Sequence, residues 1–189
     1  PLAQADEVDA AIAAAHRAFP GWRATPIADR VRLMRKVADV MEARVYEIAD
    51  ALVLEVGKNR MEALGEAQET VDFFRCYADD FESHQGYEFG LPNDPLTGFV
   101  SRNRSVMRPY GVWAVIAPFN FPIALAGGPV AAALVTGNTV VVKCASDTPW
   151  AGHLLADCIR DAGLPAGVFN YIAGSGAAAG EQLVRDART

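Results

Sequence analysis

Cysteine and histidine are scarce in this sequence, three of each among 189 residues. Cys76, Cys144 and Cys158 are widely spaced, form no CxxC pair and cannot all be paired, so a disulfide framework is excluded. His16, His84 and His153 stand alone, with no HExxH or similar spacing, so no metal site is expected. Free thiols fit a reduced, cytoplasmic setting. Positive charge is outweighed as well: 17 basic against 23 acidic residues leave a net charge of −6. That balance gives no general attraction to nucleic acid or to an anionic membrane, and neither partner is expected. The local group Arg30, Arg32, Arg35 and Lys36 is interleaved with Asp29, Asp39 and Glu42 and reads as a solvated helix face. The apolar stretch from Gly111 to Gly137 could span a bilayer core of about 30 Å. Pro118, Pro122 and Pro129 interrupt it, and a buried strand, a turn and a buried helix explain it better. The chain starts at Pro1, with no initiator methionine, basic leader or signal-type segment, so both ends are expected to be cuts within a longer polypeptide.

Hydrophobic residues make up 51% of the chain, enough for a substantial core. Val8, Ile12, Ala15 and Phe19 recur at helical spacing over 5–19, with Asp6 as the cap and Pro20-Gly21 as the stop. Val31, Met34, Val37, Met41, Val45, Ile48, Leu52 and Val56 predict one long helix over 26–56, capped by Thr25, started by Pro26 and ended by Gly57. Val71, Phe74, Ala78 and Phe81 predict a third helix over 60–83. "GYEFGLPNDPLTG" reads as loop, and "FVSRNRSVMRPYG" as an exposed extended segment projecting from the body. From Gly111 the pattern is strand, helix, strand, helix, strand: "VWAVIAP", "NTVVVK" and "GVFNYIA" alternate with helices over about 121–136 and 149–163, Thr148 capping the second. These strands read as buried on both faces, which means a parallel sheet covered by helices on both sides.

Three features at the carboxyl ends of the predicted strands could carry chemistry, since that edge of an open parallel sheet is where ligands bind. Asn120 lies within "PFNFP", in the most apolar part of the chain. A buried amide needs a partner, so it serves either a turn or a ligand, as a rigid donor able to stabilise negative charge on oxygen. Lys143 closes the second strand. It is either a snorkelling lysine or, with Ser146 after it, a contact for ribose or phosphate. Gly174-Ser175-Gly176-Ala177-Ala178-Ala179-Gly180 satisfies G-x-G-x-x-[G/A] and opens a helix, but it follows the third strand and serves equally as a tight turn. No nucleophile stands out. Lys143 could lower the pKa of Cys144, but a small packing residue is the better reading, and Cys76 and Cys158 also read as packing.

Taken together, "PYGVWAVIAPFNFP", "AAALVTGNTVVVKCASDTP", "AGLPAGVFNYIAGSGAAAG" and "EVGKNRMEALGEAQETVDFFRCYA" resemble the aldehyde dehydrogenase superfamily, in family order and over essentially the whole chain. The resemblance implies an α/β fold: N-terminal helices plus the first half of a Rossmann-type sheet, with a projecting oligomerisation strand. Its parts would be 1–97, 98–109 and 110–189. It implies an NAD- or NADP-dependent oxidation of an aldehyde to a carboxylate by a homo-oligomer, dimer or larger. By match, Asn120 donates to the oxyanion, and Lys143 holds the adenine ribose. Ile116, Ala117, Pro118 and Phe119 pass the cofactor, Gly176 and Gly180 lie near the adenosine, and Phe121 lines the aldehyde pocket. "ETVDFFRCYA" looks like the corresponding helix of Δ1-pyrroline-5-carboxylate and amino-acid semialdehyde dehydrogenases, in which Glu69 would meet the substrate's amino end.

Two departures qualify the resemblance. The family often has K-P-[AS]-E after the second strand, its Glu binding ribose hydroxyls; here Lys143-Cys144-Ala145-Ser146 stands there. A serine at that position removes a repulsion against a 2′-phosphate and predicts tolerance of NADP. The family's G-Q-x-C nucleophile, E-L-G-G base and F-T-G-S segment do not occur in these 189 residues, so this polypeptide alone is not expected to oxidise aldehydes. A truncated dinucleotide-binding or interaction module of the same ancestry is the alternative. A short-chain reductase would need a Tyr-x-x-x-Lys pair after the third strand, which is missing.

Overall fold

The computed structural model describes residues 2–189; Pro1, where the chain begins, lies outside them. Four helices come first: α1 (Ala5–Ala24), α2 (Ile27–Ala43), α3 (Val45–Val56) and α4 (Arg60–Ser83). A short antiparallel pair follows, β1 (Glu88–Gly90) with β2 (Arg104–Val106). Then β3 (Val112–Ile116), α5 (Ala124–Val135), β4 (Thr139–Cys144), α6 (Pro149–Asp161) and β5 (Phe169–Ala173) build a parallel three-stranded sheet in the order β3-β4-β5. A π-type turn at Gly176–Gly180 leads into α7 (Glu181–Arg185).

The period of two along β4 sorts its valines between two cores. Val141 packs with Val8, Ile12, Ala15 and Leu183, so α1 and α7 cover one face. Val140 and Val142 join the larger core of α2 to α6 on the other. Thr139 ties the layers by donating its hydroxyl to the Ala15 carbonyl at 3.0 Å. α5 lies against α4 at close range: a methyl group added at Gly127 would come 2.3 Å from the Thr70 side chain, so only glycine fits there.

Several sequence expectations need correction. α1 starts at a Gln4 cap, not Asp6, and runs through Pro20 to Ala24. The bond lost at Pro20 is offset by Trp22, which is buried and donates its indole N–H to the Leu134 carbonyl at 3.0 Å. The predicted 26–56 helix breaks at Arg44 (φ −112°, ψ 14°). Arg44 reaches Glu47 at 2.8 Å and Asp161 at 3.6 Å, and the bend turns α3 toward α6 and α4. Pro26 takes the cap position instead of Thr25. Gly57 does end α3, in the left-handed region (φ 79°), and α4 has the predicted bounds, its Asn59 side chain accepting from the Met61 and Glu62 N–H groups at 3.0 Å each. Arg30 does not belong to a solvated face. It is buried and donates to the carbonyls of Val135, Thr25 and Arg23 at 3.0, 3.1 and 3.3 Å. The extended segment is a hairpin, because part of the predicted loop, β1, pairs with β2. Only β4 is buried along its length; β3, an edge strand, leaves Trp113 and Ile116 each 47% exposed.

Candidate functional site

The carboxyl ends of the three parallel strands come together through their register. Ile116 faces Lys143, and Lys143 faces Ile172. One residue on, Ala117 donates its N–H to the Lys143 carbonyl at 3.0 Å, extending the ladder past β3. The Lys143 side chain is buried against the glycine turn, its Cδ 3.7 Å from where a methyl at Gly180 would sit. Its ammonium donates to the Cys144 carbonyl at 2.6 Å. Ser146, exposed on the next loop, reaches the Gly174 carbonyl at 3.5 Å, the outer limit of a hydrogen bond. Ile116, Ala117, Lys143, Ser146 and the Gly174–Gly180 turn thus share one edge, with Ala145 half-buried between Cys144 and Ser146.

The glycine turn closes on itself. Gly180 donates to the Ser175 carbonyl at 3.2 Å, and the Ser175 hydroxyl accepts from the Ala178 N–H at 3.2 Å. Glycine at 174 is required by packing, since a methyl there would stand 2.7 Å from the Ala179 Cβ. At Gly176 a methyl would meet nothing within 4 Å, so that backbone is open to a visitor.

Beyond Ala117 the chain turns outward through Pro118, Phe119, Asn120 and Phe121. Asn120 is not the buried amide that the sequence leads one to expect. It is exposed, in an irregular bend, and its side chain makes no hydrogen bond among the described residues. Two prolines stiffen the backbone around it without drawing the amide inward. Phe119 and Phe121 flank it, 59% and 40% exposed.

Two residues overlooked in the sequence hold this loop from behind. Glu66 of α4 is buried, and its Oε1 accepts from the N–H groups of Ile123 and Ala124 at 2.9 and 3.2 Å. Its Oε2 lies 2.6 Å from the Lys58 ammonium, close enough for an ion pair although the angle falls short of hydrogen-bond geometry. The same ammonium sits 3.3 Å from the centre of the Phe121 ring, a cation–π contact. The signal was legible: Ala63, Glu66, Ala67, Thr70, Val71 and Phe74 form one buried stripe, and a carboxylate on such a stripe needs a partner. Glu69, one turn further, is exposed and makes no hydrogen bond or ion pair among the described residues.

Neither buried thiol is set up as a nucleophile. Burial pushes the pKa of Cys144 up, outweighing Lys143, and its sulfur shares a contact with the Tyr171 hydroxyl at 3.1 Å. Burial pushes Cys158 up to about 11. Cys76, read as packing, is exposed. No described helix is long and apolar enough to cross a membrane.

Comparison with known proteins identifies the family. The chain is 39% identical over 187 residues to a 1-pyrroline-5-carboxylate dehydrogenase of Anoxybacillus flavithermus, covering 99% of this chain and 35% of that protein. It is 37% identical over 185 residues to the NADP(+) succinate-semialdehyde dehydrogenase GabD of Escherichia coli, covering 97% and 37%. The crystal structure of a Thermus 1-pyrroline-5-carboxylate dehydrogenase with bound NAD superposes with a TM-score of 0.90 at 37% identity, over 99% of this chain and 36% of that one. The chain therefore spans little more than a third of the relatives it matches. The Aldehyde dehydrogenase family matches residues 1–189, from end to end, and the chain belongs to that family.

Proposed function

We propose that this chain is the N-terminal, cofactor-binding portion of an NAD(P)-dependent dehydrogenase that oxidises an amino-acid semialdehyde. One observation carries the reading: Asn120 holds a free amide just beyond a parallel strand, on a loop pinned by Ala117 on one side and by Ile123 and Ala124 on the other. A backbone held in place before the reaction begins lessens the reorganisation needed to bring a donor to the charge that develops.

The dinucleotide, when bound, supplies the hydride acceptor. The residues present fit it. Lys143 has one partner, the Cys144 carbonyl, among the described residues, and an ammonium has three donors, so two remain for ribose oxygens. Ser146 and Ala145 stand beside it. Ile116, Ala117, Pro118 and Phe119 form the wall along which the cofactor passes, and Gly176 and Gly180 admit its adenosine end. Asn120 donates its N–H to the aldehyde oxygen as negative charge gathers there, Phe121 lines the aldehyde pocket, and Glu69 meets the substrate's amino group. Relatives named for 1-pyrroline-5-carboxylate and succinate semialdehyde support a semialdehyde substrate. The parent is assigned to the cytoplasm as a homo-oligomer, with the β1–β2 hairpin at its interface.

The test uses the full-length gene product and an amino-acid semialdehyde. Asn120→Ala is expected to lower kcat by about 10²–10³-fold, the effect of removing one oxyanion donor, while Glu69→Ala raises KM for that substrate and not for an uncharged aldehyde. An unchanged kcat removes Asn120 from the chemistry, and an unchanged KM removes Glu69 from the substrate contact.

A further inference from the structure

The pinned loop holds more than its two backbone ends. Between Asn120 and the first turn of α5 stand Phe121, Pro122 and Ile123. The Phe121 ring carries the Lys58 ammonium at 3.3 Å, the Pro122 ring fixes its own φ, and Ile123 donates to Glu66. All three residues after Asn120 are therefore restrained. The Glu66 and Lys58 side chains are 0% and 8% exposed. Two ions taken so far out of water carry a large desolvation cost, and an apolar pair of similar volume is often as stable or more so. Stability alone is therefore a poor reason for the pair. The carboxylate instead takes up two otherwise unpaired first-turn N–H groups of α5, from another helix. Thr70, on the same stripe, donates its hydroxyl to the Glu66 carbonyl at 2.9 Å and packs against Gly127 of α5, so Glu66 itself sits on a rigid base.

We propose that Glu66, neutralised by Lys58, is a positioning residue for the Asn120 amide: it acts through the α5 N-terminus to hold the donor where the aldehyde oxygen gathers charge. This rests on the assignment of Asn120 given above. Displacing a catalytic group by an ångström costs on the order of 10²-fold in rate, so the loss on freeing the loop shows in kcat and leaves cofactor binding alone.

Two double variants of the full-length gene product separate positioning from folding, because neither leaves a buried charge unpaired. Lys58→Met/Glu66→Gln keeps a carbonyl oxygen for Ile123 and Ala124. Lys58→Met/Glu66→Leu removes it. The first is expected to stay within about fivefold of the parent kcat and the second to fall by about 10–100-fold, with the Kd for NAD(P), read by fluorescence titration, within about twofold in both. In an Asn120→Ala background the two should differ by less than twofold, since there is no donor left to misplace. Faster amide exchange at Ile123 and Ala124 in the Leu variant, measured by mass spectrometry, would accompany the loss. Equal kcat for the two variants, or the same gap with Asn120 removed, would overturn the proposal. A full kcat in Asn120→Ala alone would overturn the assignment of Asn120 instead.

Discussion

Glu66 and Glu69 are the same residue type one helical turn apart, and the fold gives them opposite surroundings. Glu66 falls on the stripe of α4 that meets α5, and Glu69 falls in solvent. Motif matching drew attention to Glu69, whereas helical spacing alone places Glu66 among apolar neighbours. Asn120 shows the converse, because an apolar neighbourhood in sequence is not burial in space. Phe119 and Phe121 are apolar and still more than a third exposed, so they do not enclose it. Ser146 carries a prediction of its own. Among the described residues its hydroxyl has one contact, at 3.5 Å to the Gly174 carbonyl, and in the proposed reading it would meet a ribose or a 2′-phosphate. A carboxylate in its place, about 5 Å from a doubly charged phosphate in water-like surroundings, would cost about 1.7 kcal/mol, somewhat over tenfold. Ser146→Glu in the full-length gene product is expected to raise KM for NADP about tenfold and leave that for NAD within twofold. Equal shifts for both cofactors would remove Ser146 from their discrimination.

At the scale of elements, pattern succeeded where it was local. The α4 bounds agree with the apolar stripe of Val71, Phe74, Ala78 and Phe81, and Asn59 caps the helix at its start. It failed where a distant contact decides. The break at Arg44 depends on Glu47 and Asp161, the second more than a hundred residues away. β1 is three residues that exist only as the partner of β2. The exposure of β3 follows from its place at the sheet edge, which hydrophobicity along one strand does not encode. The start of α6 shows the same dependence. Thr148, the predicted cap, makes no capping bond, and its hydroxyl is buried without a partner among the described residues. Glu55 of α3 takes over, accepting from the Trp150 and Ala151 N–H groups at 2.8 and 2.7 Å. Glu55 and Glu66 thus occupy the first turns of the two helices that follow β3 and β4, leaving neither free for a phosphate. A cap is worth about 1 kcal/mol. Glu55→Ala is therefore expected to speed amide exchange at Trp150 and Ala151 by about five- to tenfold. Unchanged protection at both would mean that Thr148 or water does the capping.

Over the whole molecule, large apolar side chains are exposed at many places, and several of them lie on the hairpin and the loop it carries. Phe89, Leu91, Leu96, Phe99, Val100 and Met107 are 45%, 48%, 61%, 72%, 95% and 64% exposed. Among the described residues β1 and β2 pair only with each other, so each leaves an edge open. Open edges and exposed apolar side chains are what a chain can cover by association. The sequence pointed to the projection, since Gly, Pro and Asn cluster before an alternating segment, but not to the hairpin, because the pairing of β1 with β2 spans the whole loop. If this arm is the interface of the proposed oligomer, a charge at its most exposed apolar positions must be buried without a partner. That costs several kcal/mol for each copy of the contact. Phe99→Glu/Val100→Glu in the full-length gene product is expected to shift its mass, measured by light scattering after size exclusion, from a dimer or larger species toward the monomer. The circular dichroism of the variant should be unchanged, because neither side chain touches the core. A mass equal to that of the parent would remove these two residues from the interface.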